Sequence, residues 1–239
     1  MNDGPGLAGR TALVTGASSG IGRAAAIRLM NEGARVWGLA RSSEALNELS
    51  KDYGVSPIVA DLADDTAVWL ALDELSDTLD GAPDIVVNSA GVFGVEPCAT
   101  ESIKTFDVHL QVNLRAPFLV IRALLPSMLA RGSGLIINVG SVAGRKAFPG
   151  NAAYSASKFG LRGLHGVLVE ETRGTGVRAT LVEPTATDTA LWDSLDPDTN
   201  DGLPNRADML AAEDVANVIA FAATRPDGVV LPVLQVERN

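Results

Sequence analysis

Three side chains near the middle of the chain have the types and spacing to move a proton to or from an oxygen. Tyr154 and Lys158 stand four residues apart in a helical stretch, so both project from one face about a turn from each other. A free phenol ionises near pH ~10, too high for useful exchange at neutral pH. A cation at about 4 Å contributes roughly 4 kcal/mol at a moderate effective dielectric, enough to move the phenol by about two units. Ser141 closes a separate apolar run, 135–140, that reads as a buried strand. If the end of that strand faces the tyrosine helix, its hydroxyl binds the same substrate oxygen as the phenol. Tyr-x-x-x-Lys alone equally describes a solvated surface pair, and the elements around it must decide.

Those elements recur in a fixed rhythm. Apolar, strand-like runs at 11–15, 35–40, 56–60, 84–88, 135–139, 177–182 and 229–234 alternate with helical stretches. That is the pattern of an α/β fold: a parallel sheet of about seven strands with helices on both faces. The first strand enters Thr15-Gly16-Ala-Ser18-Ser19-Gly20-Ile21-Gly22 and then a helix. Glycines let backbone approach a ligand closely, and a helix N-terminus offers free N–H groups to a phosphate, so this turn reads as a pyrophosphate cradle. Its spacing is Gly-x-x-x-Gly-x-Gly, not the commoner Gly-x-Gly-x-x-Gly.

At 239 residues the chain is expected to form one domain, residues 1–239, with a tail at 1–8. Residues 185–209, rich in Thr, Asp, Pro and Asn, read as a lid over a pocket or as a disordered surface loop. A net charge of −10 disfavours nucleic acid and anionic membrane as partners. No apolar run approaches the ~20 residues of a membrane span, and no secretory signal is expected at the start, so a cytoplasmic location is expected. The single cysteine, Cys98, excludes an intrachain disulfide, and no metal site is expected. His109 and His165 read as surface or capped helix residues.

With Thr15 to Gly22, Asn88-Ser89-Ala90-Gly91, Asn113, Ser141, Tyr154 and Lys158 in order, the chain resembles the short-chain dehydrogenase/reductase (SDR) family over about residues 7 to 236. The resemblance implies a single-domain, doubly wound Rossmann-type sheet that binds a nicotinamide dinucleotide, with hydride passing between it and a carbonyl or alcohol carbon. It makes Tyr154 the general acid/base, Ser141 the orienting hydroxyl, and Lys158 both the tuner of the phenol and a ligand of the nicotinamide ribose. Asn113 would hold a water linking Lys158 to solvent. Pro117 has no N–H for the carbonyl four residues back, which leaves that of Asn113 free if the helix continues; an ordinary proline kink is the alternative.

In family register, Gly16, Ser18, Ser19, Gly20, Ile21 and Gly22 take the pyrophosphate, Asp61 and Leu62 the adenine, and of the cofactor-binding run Asn88, Ala90 and Gly91, Asn88 braces the sheet while Gly91 approaches the ribose. Asp61 is equally readable as a helix cap. An Asp typical of NAD-using members is replaced by Ala40, followed by Arg41 and Ser42, which suit a 2′-phosphate; NADP(H) is therefore expected over NAD(H). Pro184, Thr185, Thr187 and Thr189 align with the segment that holds the carboxamide, with Thr185 in place of the usual glycine. Glycines at 160, 163 and 166 suggest a surface packed closely on the tyrosine helix, either a neighbouring loop or the symmetry mate of a homodimer or tetramer. Phe93, Phe148, Leu191 and Trp192 suggest an apolar substrate body. The function expected is a carbonyl reductase or alcohol dehydrogenase on a small molecule, the alternative a catalytically silent NADP(H)-binding regulator. A sugar-nucleotide epimerase would need a larger C-terminal portion.

Overall fold

The computed structural model describes residues 6–239. In chain order the elements are β1 (Thr11–Thr15), α1 (Gly20–Asn31), β2 (Arg35–Ala40), α2 (Ser43–Tyr53), β3 (Ser56–Val59), α3 (Asp65–Leu79), β4 (Ile85–Asn88), α4 (Ile103–Leu110), α5 (Ala116–Arg131), β5 (Gly134–Val139), α6 (Ala152–Glu171), β6 (Val177–Pro184), β7 (Thr187–Asp188), β8 (Leu210–Ala211), α7 (Ala212–Ala223) and β9 (Val233–Val236). One wide turn, Gln111–Arg115, joins α4 to α5. Seven strands form a wholly parallel sheet in the order β3-β2-β1-β4-β5-β6-β9. The order reverses between β1 and β4, and crevices at such a switch point open over the carboxyl ends of the strands.

Alternation along the strands feeds two apolar layers. Ala12, Val14, Ile85, Val87, Leu135 and Ile137 face α1, α2 and α7. Leu13, Val86, Ile136 and Ala179 face α3 and α5. Ser42 caps α2 through the Ala45 N–H (3.2 Å), Asp64 caps α3, and Ser102 caps α4. The continuous rod Ile103–Arg131 is long and apolar enough to cross a membrane, with a mean hydropathy of 1.3 over its most apolar 18 residues. Its residues Leu119, Val120, Ile121, Leu124 and Met128 are instead buried in the second layer.

Two expectations need correction. The last strand begins at Val233 and not at Val229, because Pro232 has no N–H to give a ladder and can only precede the strand. Its carbonyl accepts from the Leu181 N–H (2.9 Å), while Val229 closes a turn onto Pro226. His109 and His165 are both buried, at 4% and 2% exposure, not surface residues. Of the tail expected at 1–8, residues 1–5 lie outside the described residues. Leu7 is buried and its N–H donates to the Glu32 carbonyl at 2.7 Å.

Candidate functional site

The carboxyl ends of β4 and β5 and the first turns of α6 bring Ser141, Tyr154, Lys158 and Asn113 to one place. Lys158 is buried, and its ammonium donates to the Val139 carbonyl at the end of β5 (2.9 Å). It lies 5.7 Å from the centre of the Tyr154 ring. Lysine and phenol thus share one face as the spacing predicts, yet the lysine is bonded to the sheet. Burial pushes the Tyr154 phenol up, and the adjacent Ser141 hydroxyl partly offsets this. Burial also lowers Lys158 to about 8. Ser141 accepts from the Ala143 N–H (3.1 Å), which fixes its rotamer.

Asn113 is fully buried in the wide turn and bonded on both ends of its amide. Its Oδ1 accepts from the Val92 N–H (2.8 Å), and its Nδ2 donates to the Val92 carbonyl (3.0 Å) and to Ser157 (3.0 Å). The helix runs on through Pro117, so the Asn113 carbonyl meets no N–H four residues ahead. A Cβ on Gly91 would sit 3.2 Å from the Asn113 Oδ1, so glycine is what allows the approach. Asn88 donates to Asn138 (2.9 Å), and Asn138 bonds His165, which donates through Nε2 to the Pro232 carbonyl (2.8 Å). Burial lowers the His165 pKa, in keeping with a neutral ring in this buried chain.

The glycine turn lies beside β4. Gly16 has φ +72°, and a Cβ there would lie 2.7 Å from the Ala90 Cα. A Cβ on Gly22 would overlap the Gly16 carbonyl. Ser19 precedes α1 without a side-chain cap, and no acidic residue stands in the first turn. The helix start therefore keeps its donors and its partial positive charge, a setting that fits a phosphate. Ser18 and Ile21 belong to the same turn, while Arg41 lies exposed at the end of β2. Ser42 is the cap of α2, and Asp61 accepts from the Ala63 N–H (3.0 Å) next to buried Leu62. Asp64, not Asp61, caps α3.

Residues 185–209 are ordered around short elements. Thr185 donates its N–H to the Val236 carbonyl (2.9 Å) and so extends the sheet past Pro184; its φ is not positive, in keeping with a β-branched residue in place of glycine. Thr187 bonds back to the Thr185 carbonyl (3.0 Å) and pairs with Leu210. The Thr189 methyl would lie 3.0 Å from a Cβ on Gly20, which brings this segment against the glycine turn. Arg206 ties it together through Asp188 and Asp193 (2.6 Å), and its N–H donates to Asp198 (2.8 Å). Trp192 packs on Phe93 (4.6 Å between ring centres) and Phe93 on Tyr154 (4.8 Å). Phe148 and Leu191 are exposed.

Sequence reasoning missed several supports. Glu101 accepts from the Ala153 N–H (3.1 Å) and so caps the tyrosine helix, whose own Asn151 provides no cap. Thr15 accepts from the N–H groups of Ser89 (3.1 Å) and Ala90 (3.3 Å). Buried Glu183 pairs with Arg162 and lies 3.8 Å from Arg145. These partners are 21 to 75 residues apart, so no local spacing announces them. Of the three helix glycines, Gly160 meets Leu114 of the same chain, while Gly163 and Gly166 face open space. No group of three or more His, Cys, Asp or Glu suited to a metal occurs among the described residues.

Comparison with known proteins agrees with this geometry. The family model "short chain dehydrogenase" matches residues 10–200. The chain is 38% identical over 97% of its length to the glycine betaine reductase ATRR of Emericella nidulans, but spans only 19% of that longer protein. It is 36% identical to the 2-(R)-hydroxypropyl-CoM dehydrogenase of Xanthobacter autotrophicus, over 90% of this chain and 91% of that one. A solved metagenomic short-chain oxidoreductase in complex with NADP superposes with a TM-score of 0.83 at 33% identity, over 98% of each chain. The chain belongs to the short chain dehydrogenase family, oxidoreductases that use a nicotinamide cofactor.

Proposed function

We propose that the chain is an NADP(H)-dependent carbonyl reductase, or the reverse alcohol dehydrogenase, acting on a small molecule. The observation that carries this is the convergence of Ser141, Tyr154, Lys158 and Asn113 at the carboxyl edge of β4 and β5. When bound, the nicotinamide supplies or accepts the hydride. Tyr154 holds the proton given to or taken from the substrate oxygen, and Ser141 orients that oxygen beside it. Burial keeps Tyr154 protonated at neutral pH, which suits the donor role, and it is the Ser141 hydroxyl, not the Lys158 charge the spacing suggested, that offsets part of the cost of phenolate. Asn113 fixes the 92–95 loop against α6 and offers its carbonyl to water.

The turn from Gly16 to Gly22, with Ser18, Ser19, Gly20 and Ile21, would hold the pyrophosphate. Asp61 and Leu62 would take the adenine, and Ala90 and Gly91 would approach the ribose while Asn88 braces the sheet through Asn138. Tyr154 and Lys158 would take the nicotinamide ribose, and Pro184, Thr185, Thr187 and Thr189 the carboxamide. Arg41 and Ser42 support the choice of NADP(H), since a guanidinium and a hydroxyl can bind a 2′-phosphate where no carboxylate repels it.

We read residues 185–209 as the lid and the chain as one unit. The exposed side chains Phe118, Phe159 and Val167 flank the open faces of Gly163 and Gly166. A groove of about 490 Å³ beside them is lined by Leu110, Leu114, Phe118 and Leu164. This face suits a second copy, as a homodimer or one interface of a homotetramer. The exposed free thiol of Cys98 suits a reducing, cytoplasmic setting.

NADPH oxidation against a panel of aldehydes, ketones, diketones and quinones tests the reading. Turnover that disappears in Tyr154→Phe is expected. Tight NADPH binding without turnover of any carbonyl would point to the silent regulator.

A further inference from the structure

His109 stands on α4 beside Tyr154, with ring centres 6.3 Å apart and planes at 81°. It is 4% exposed. Its Nδ1 lies 2.8 Å from the Thr105 carbonyl. A carbonyl oxygen can only accept, so Nδ1 carries the hydrogen, and in the neutral ring Nε2 is a bare acceptor. That Nε2 is buried and has no hydrogen-bond partner. A buried acceptor left unsatisfied is costly, and such orphans gather where a ligand group completes them.

The surroundings say where that group would come from. Gly94 belongs to the 92–95 loop, next to Phe93, which packs on Tyr154. A Cβ on Gly94 would lie 3.8 Å from Cε1 and 4.0 Å from Nε2 of His109, and apart from its own chain neighbours it meets no other residue within 4 Å. Glycine therefore lets the 92–95 loop, which borders the tyrosine, lie alongside the His109 ring, where an added methyl would be in ordinary contact with it.

Resting on the carbonyl reading above, we infer that His109 is a specificity-determining residue. Its Nε2 accepts a hydrogen bond from a hydroxyl of the substrate, seated beside Gly94. The substrate class is a hydroxylated ketone or aldehyde, with the hydroxyl one or two carbons from the reacting carbonyl. A site built to pair a hydroxyl discriminates against the analogue that lacks it, because the site's own polar group is then left unpaired.

The experiment compares kcat/KM for 3-hydroxy-2-butanone and 4-hydroxy-2-butanone with that for 2-butanone, using NADPH and NADH in parallel. The native chain is expected to prefer at least one hydroxyketone by roughly ten- to a hundredfold. His109→Phe, which removes the acceptor, and Gly94→Ala, which sets a methyl against the imidazole without backbone strain, each bring that ratio toward one. His109→Gln, which keeps an acceptor, retains part of it. If the native ratio is near one, or survives both His109→Phe and Gly94→Ala, the inference is wrong while the carbonyl reading stands. If neither hydroxyketone is turned over with either nucleotide, the inference is wrong, and the wider carbonyl panel decides the reading it rests on.

Discussion

At the carboxyl edge of β1 and β2 the chain leaves its polar groups open: α1 starts without a cap or an acid, and Arg41 is exposed. At the edge of β4 and β5 it closes them. Asn113 makes three bonds, Lys158 is tied to Val139, and Asn88, Asn138, His165 and Pro232 form one chain of hydrogen bonds. The contrast teaches a division of labour. Open donors await a ligand that brings its own charge, whereas a proton-transfer group must be held before the substrate arrives. The first region should lose affinity when altered, the second rate.

The sharpest test of that division is Tyr154→Phe, which should reduce kcat/KM by ~10³-fold and leave NADPH affinity close to native, as expected for a general acid. A comparable loss of nucleotide affinity, read by fluorescence titration, would erase the distinction between the two regions. Next is Lys158→Met, for which a loss of ~10²-fold in kcat/KM is expected. Its stability signature is separate. Lys158 is held at about 8 in the fold against 10.5 for a free lysine, so its charge is destabilising below pH 8, and the cost is relieved as pH rises to 10.5. Lys158→Met should therefore raise Tm at pH 7 and lose that advantage above pH 10.5; a Tm difference that stays flat across this range would contradict a desolvated lysine.

On the open side, Arg41→Ala should raise KM for NADPH by ~10-fold with little change for NADH, the size of one charge-assisted hydrogen bond. Should the native chain already favour NADH, the role given to Arg41 is wrong. The smallest effect is expected at the lid. Arg206→Gln, which cuts its links to Asp188 and Asp193, should raise KM for the carbonyl substrate by ~3-fold, since largely exposed pairs contribute little. Native KM that does not rise with added salt would argue against Arg206 as the fastening of that segment.

Much of this architecture could be read from the amino acids. Buried parallel strands are continuously apolar, so their runs stand out; β1 and β2 fall where the pattern puts them. The last strand escaped by four residues because Val229 and Val230 look like strand but are exposed ahead of Pro232, and only pairing with β6 sets the register. Tyr154, Lys158 and the glycine turn were legible because helix periodicity and backbone freedom are local properties. Glu101, Thr15, Ser157 and Arg206 were not, since each works through a partner that the chain path alone brings near.

By itself, then, the order of residues determined the α/β rhythm, the glycine turn after β1, and the one-face placement of Tyr154 and Lys158. Only the tertiary structure decided that Lys158 turns to the Val139 carbonyl, that burial raises the phenol, that His109 faces Gly94 with a bare nitrogen, and that the tyrosine helix takes its cap from Glu101. The physical reason is range: periodicity and φ preference act within a turn or two, whereas desolvation and long-range hydrogen bonds depend on what the folded chain places alongside.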